Sequence, residues 1–71
     1  MDKLSVYQHY KGGYYRLLCV ATLESDKTPH AVYQSLATGV IWTRPFSEWE
    51  ETIEVDGKQV KRFKFIWKEG K

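Results

Sequence analysis

Residues 52–67 read TIEVDGKQVKRFKFIW, a strand–turn–strand pattern. Asp56-Gly57 is the strongest local signal in the chain. An Asp-Gly pair suits a two-residue hairpin turn, because both central residues need positive φ. Before the turn, TIEV (52–55) puts Ile53 and Val55 on one face. After it, KQVKRFKFIW (58–67) alternates Phe63, Phe65 and Trp67 with Arg62, Lys64 and Ile66. A period of two is that of a half-buried strand. The stretch therefore predicts antiparallel strands over 52–55 and 58–67.

Upstream of the hairpin the same logic extends the β pattern. PFSEWEE (45–51) opens with a proline, which disfavours strand continuation and predicts a turn or a single helical turn. VIWTR (40–44) and AVYQSL (31–36) read as strands separated by the turn ATG (37–39), and ESDKTPH (24–30) as a loop. YYRLLCVATL (14–23) is rich in aromatic and β-branched residues and follows Gly12-Gly13, so it reads as the first long strand. About five short strands in so small a chain leave few ways to protect sheet edges. The expected architecture is all-β, a small SH3-like barrel of about five strands with one short helical turn.

Composition bounds what such a barrel can be. With 71 residues, residues 1–71 are expected to form one domain with a thin core. Cys19 is the only cysteine, so no internal disulfide forms; within its apolar run it is expected to be buried and inert. One cysteine and two histidines supply no zinc-ligand spacing, so no metal or cofactor is expected. No apolar run serves as a secretory signal or a membrane span, and the expectation is a cytoplasmic monomer without membrane contact. The net charge of +2 is too small to announce nucleic acid, but its distribution is uneven. Glu48, Glu50, Glu51, Glu54 and Asp56 form an acidic block; Lys58, Lys61, Arg62, Lys64, Lys68 and Lys71 form a basic one. Pairing between neighbouring strands would account for this blocking without a partner.

Residues 7–16, YQHYKGGYYR, pose the functional question. The stretch lacks both the GxxxxGK[ST] and the GxGxxG spacing of phosphate-binding loops, and its glycines suit a turn. His9 is a conceivable base, but no spacing places a nucleophile and an orienting acid beside it, so no catalytic residue is assigned. Aromatic and cationic residues nevertheless interleave at this turn and at the Pro45 corner. A small β-barrel uses such residues to stack bases beside a cationic groove, or to hold a proline-rich peptide. The candidate ligand-binding residues are His9, Lys11, Tyr14, Trp42, Arg44 and Trp49. A chain with three tryptophans, five tyrosines and three phenylalanines needs most of them inside, so Trp42 and Phe46 are expected to pack on the core before they contact any ligand.

The ordered motifs Y-x-H-Y-K-G-x-x-Y (7–15), VYQSL, W-x-R-P and V-D-G-K-x-V-x-R-F resemble a small bacterial family, domain-of-unknown-function family 1653. The resemblance covers roughly Tyr7 to Ile66, with short flexible termini expected on either side. It implies an SH3-like barrel, alone or appended to other domains, and no catalytic residue, since no activity is established for the family. Its signature falls on Tyr7, His9, Lys11, Gly12, Tyr33, Trp42, Arg44, Pro45 and Glu51. The chain departs from it at Leu23-Glu24-Ser25, where a His-Ser/Thr-Glu stretch is frequent, at Glu48-Trp49, and at Lys61, where proline is frequent. The functional expectation is a non-catalytic binding module for RNA, a nucleotide or another anionic or planar ligand. The alternative is a protein-interaction or structural barrel that holds a peptide or partner domain.

Overall fold

Hydrogen-bond pairing divides residues 4–68, those that the computed structural model describes, into seven strands and one helical turn. In chain order these are β1 (Ser5–His9), β2 (Tyr14–Thr22), β3 (Pro29–Ser35), β4 (Ile41–Pro45), α1 (Phe46–Trp49), β5 (Thr52–Val55), β6 (Lys58–Lys61) and β7 (Phe63–Lys68). A five-stranded antiparallel sheet has the order β4-β3-β2-β1-β7, and β5-β6 forms a separate hairpin. The all-β, barrel-like expectation holds, with seven strands rather than about five. The expected flexible termini concern mainly residues 1–3 and 69–71, which lie outside the described residues.

The Asp-Gly turn forms as its residue types require, with φ of 52° at Asp56 and 79° at Gly57. The long strand expected over 58–67 instead breaks at Arg62. Its N–H donates to the Glu51 carbonyl at 2.9 Å, its carbonyl accepts from Tyr10 N–H at 2.9 Å, and its guanidinium reaches the Glu51 carboxylate at 2.8 Å. Main chain and side chain thus pin one corner, and the β5-β6 hairpin leaves the main sheet there. The broader cross-strand neutralisation does not occur in the hairpin: Lys61 faces Thr52, Lys58 faces Val55, and Glu54 faces Gln59.

β1 is the element that local pattern does not announce. SVYQH is short and half polar, and it becomes a strand because β2 and β7 pair with it on both sides. Two register shifts then decide which side chains face inward. An extra residue, Leu18, lies between the Leu17–Tyr33 and Cys19–Val32 pairs, and another, Ile66, between the Phe65–Tyr7 and Trp67–Val6 pairs. Bulges of this kind bend a strand and exchange its faces. Cys19 therefore stands opposite Val32 on the outer face and is exposed, correcting the expectation of a buried thiol. Of the alternating aromatics Phe63, Phe65 and Trp67, only Phe63 is buried.

The core is a cluster of Ala31, Tyr33, Trp49 and Phe63, flanked by Tyr7, Tyr15, Leu17 and Phe46. Pro45 caps α1, and the single helical turn carries Trp49 under the sheet. There its indole stacks on Phe63, with ring centroids 3.9 Å apart and planes 15° from parallel. Trp42, expected to pack on the core, lies open, and Trp49, expected among the ligand contacts, is core. Trp42, on the edge strand β4, is 52% exposed, whereas Trp49 is 4% exposed. Among the described residues no helix is long and apolar enough to cross a membrane.

Candidate functional site

His9 ends β1 and shapes the turn that follows. Its N–H donates to Gly13 C=O at 2.7 Å, and Gly12 N–H returns to His9 C=O at 2.8 Å. Gly12 has a φ of 113°, which a residue with a Cβ rarely adopts, so the first glycine of the pair is the one that the turn needs. Lys11 N–H donates to His9 Nδ1 at 3.1 Å. With Nδ1 accepting, the neutral imidazole carries its proton on Nε2 and presents that N–H as a donor. Burial, followed by the charges of Arg44, Arg62 and Lys11, holds the His9 pKa below its ordinary 6.5.

That shift makes a testable stability statement. Because the folded-state pKa is depressed, the unfolded chain takes up the His9 proton first. The stability tied to the neutral ring is fully present above 6.5 and is lost as pH falls through the lowered folded-state value. We expect urea unfolding midpoints to drop on the acid side of 6.5, and the drop to shrink in His9→Asn, which keeps an acceptor for Lys11 N–H. An equal drop in both proteins would exclude His9 as its source.

Pairing across the sheet places several aromatic residues on one face. Tyr15 lies opposite Tyr7, Phe63 opposite His9, Trp42 opposite Tyr33, and Arg44 opposite Ala31. His9, Tyr15, Tyr33, Trp42, Arg44 and Phe63 together line a cavity of about 230 Å³. The rings of Tyr15, Tyr33 and Phe63 meet edge to face at centroid separations of 5.3 to 5.7 Å, and His9 meets Phe63 edge to face at 5.0 Å. Such contacts fix ring orientation as well as burying area. Arg44 is held from two directions: Nε donates to the Tyr33 hydroxyl at 3.1 Å, and a terminal nitrogen lies 3.4 Å from Glu48 on α1. Its guanidinium carbon sits 5.7 Å from the Phe63 ring centroid.

Three of the residues singled out from sequence, His9, Trp42 and Arg44, thus converge on one cavity. The other three do not line it. Lys11 is exposed, with its ammonium 5.8 Å from the Tyr10 ring centroid. Tyr14 pairs with Gln8, one residue out of phase with the Tyr7–His9 face, and is exposed. Trp49 is buried beneath Phe63, which corrects its place among the ligand contacts. Sequence reasoning missed Tyr15, Tyr33 and Phe63 as wall residues. All three fall within the quoted motifs, the one signal that could have raised them.

The arrangement is an aromatic box with one fixed guanidinium, an imidazole N–H and no carboxylate in its wall. It suits a flat ring or an anion and disfavours a cation. Among the described residues no group of three or more His, Cys, Asp or Glu is placed to hold a metal ion.

A family model described as "Protein of unknown function (DUF1653)" matches residues 5–65. The chain belongs to the DUF1653 family. Its fold is similar to a crystal structure of a DUF1653 protein from Bordetella bronchiseptica, with a TM-score of 0.82 and 28% sequence identity over 93% of this chain and 88% of that one. No curated protein matches the chain. The DUF1653 match spans every residue that lines the aromatic box.

Proposed function

We propose that this DUF1653 domain is a non-catalytic binding module whose aromatic box accepts one planar ring of an anionic ligand, a nucleotide being the best fit. The observation that carries the reading is the convergence of His9, Trp42 and Arg44 with Tyr15, Tyr33 and Phe63 on one cavity of about 230 Å³. That volume lies below the roughly 300–1,000 Å³ of a drug-sized pocket and suits a single ring system. The ring stacks or packs against Trp42 while Arg44 and the Nε2–H of His9 donate to its polar edge or its phosphate. The lone, exposed thiol of Cys19 suits a reducing compartment.

Titration of isotope-labelled protein with nucleoside 5′-monophosphates at two salt concentrations tests the reading. We expect shifts at His9, at the Trp42 indole N–H and at Arg44 Nε, and weaker binding at higher salt. Saturating nucleotide without shifts at these three groups would remove the proposal. The peptide alternative also has an observation in its favour. An apolar groove of about 480 Å³, lined in part by Leu23, Val32 and Ile41, crosses β2, β3 and β4 and shares Trp42 and Arg44 with the box. Shifts at Leu23, Val32 and Ile41 without a shift at His9 on addition of a proline-rich peptide would favour it.

A further inference from the structure

His9 lines two cavities at once. One is the aromatic box; the other is a groove of about 510 Å³ between the β1 end and the β5-β6 hairpin. The groove wall includes Gln8, Tyr10, Gln59, Lys61 and Lys64, and no acidic residue. Both lysines are exposed, and no ion pair holds either among the described residues. Register explains why: Lys61 faces Thr52 across the hairpin, and Lys64 faces Gln8 across β7 and β1. Of the acidic block, Glu51 is bonded to Arg62 and Glu48 lies beside Arg44, while Glu54, opposite Gln59 and diagonal to Lys61, makes no ion pair among the described residues. Two cations, two amides and the Tyr10 side chain therefore border one groove, which shares His9 with the box and, because Gln8 and Lys64 are one residue out of phase with the His9–Phe63 pair, lies round the end of β1 from it.

We propose that the groove is a backbone subsite for single-stranded nucleic acid. One base occupies the aromatic box, and the adjoining sugar-phosphate chain passes His9 and turns round the end of β1 onto Lys61 and Lys64. This inference rests on the base-in-box reading and adds to it the length of the ligand. A narrow box supplies the ring contact, and the adjacent cations supply the sequence-independent attraction for phosphates. Gln8 and Gln59 offer neutral donors and acceptors for sugar hydroxyls and phosphate oxygens. A mononucleotide occupies only the box, whereas an oligonucleotide engages both halves.

Binding of uridine 5′-monophosphate, hexauridylate and hexathymidylate to the wild-type chain, Lys58→Ala, Trp42→Ala and the double variant Lys61→Ala/Lys64→Ala tests this. We expect a hexanucleotide to bind at least about tenfold tighter than the monophosphate. The double variant should lose that gain while keeping the wild-type affinity for the monophosphate. Its slope of log K against log salt should be shallower by roughly 1.4, since each phosphate contact to a single strand contributes about 0.7. Lys58→Ala removes a charge from the same hairpin outside the groove and should keep the gain. Tighter binding of hexauridylate than of hexathymidylate would assign the groove to RNA, and equal binding to single strands of either kind. The inference is overturned if the hexanucleotide binds no tighter than the monophosphate, or if the double variant retains the gain. In either case the base-in-box reading stands. Absence of binding by all three ligands overturns both, and Trp42→Ala separates specific from non-specific binding: undiminished hexanucleotide binding in that variant also rejects the connected site.

Discussion

Trp49→Ala leaves the chain largely unfolded at room temperature. Trp49 is one of four residues in the buried cluster, and it meets both other rings of that cluster and the flanking Tyr7. It stacks on Phe63 at 3.9 Å, and its centroid lies 4.8 Å from that of Tyr33 and 5.0 Å from that of Tyr7. Truncating a buried tryptophan or phenylalanine costs about 3–5 kcal/mol, because lost transfer energy and the cavity left behind add together. A domain of this size rarely has more than about 3–5 kcal/mol in total. The two magnitudes coincide, so the loss consumes the stability rather than denting it. Phe63→Ala should do the same from the other side of the stack, and it keeps Trp49 as a reporter whose emission moves to the solvent-exposed range. Near-ultraviolet circular dichroism and amide shift dispersion distinguish the outcomes. A cooperative unfolding transition in Trp49→Ala with a midpoint near that of the wild type would contradict the packing account. Trp49→Phe retains a ring against Phe63 and should remain folded with reduced stability.

Trp42→Ala has the opposite signature. Its side chain is about half exposed on the edge strand β4, so truncation removes little buried area and should cost about 1 kcal/mol of stability. The same change removes the open wall of the aromatic box. Alanine substitution at a base-stacking aromatic costs about 1–3 kcal/mol of binding, so nucleotide affinity should fall roughly 10- to 100-fold. Calorimetric titration beside a thermal melt reads both quantities on one sample. Loss of binding without loss of fold places Trp42 in the ligand site. Unchanged nucleotide affinity would mean that the box is only a surface depression over the core.

These two tryptophans show how far the sequence could be read. Both lie near the Pro45 corner and both entered the candidate site, yet one is core and the other is wall. Their difference comes from a single helical turn. Pro45 stops β4, α1 turns the chain, and Trp49 lands on Phe63 from a strand much later in the sequence. Nothing within a short window around either residue encodes that contact. The charge blocks show the same limit. Acidic and basic runs on either side of a hairpin suggest mutual neutralisation, but register sets Lys61 opposite Thr52 and leaves Arg62–Glu51 as the pair made at the hairpin base. His9 and Arg44 were legible as site residues because each sits beside a turn or corner, whereas Tyr15, Tyr33 and Phe63 look like any strand aromatic.

Features governed by neighbours in the chain were settled by local chemistry alone. Asp56-Gly57 had to turn because both residues adopt positive φ there, Pro45 had to end its strand, and period-two patterning had to give an all-β fold. Features governed by strand register were left to the tertiary structure. β1 exists because two distant strands pair with it, and the bulges at Leu18 and Ile66 exchange which side chains point inward. A one-residue shift in a strand reverses every face beyond it, and no local signal in this chain marks where those shifts fall. The aromatic box is a product of that register: β1 and β4, far apart in sequence, bring His9, Trp42 and Arg44 to one face, and α1 brings Trp49 to the layer beneath it.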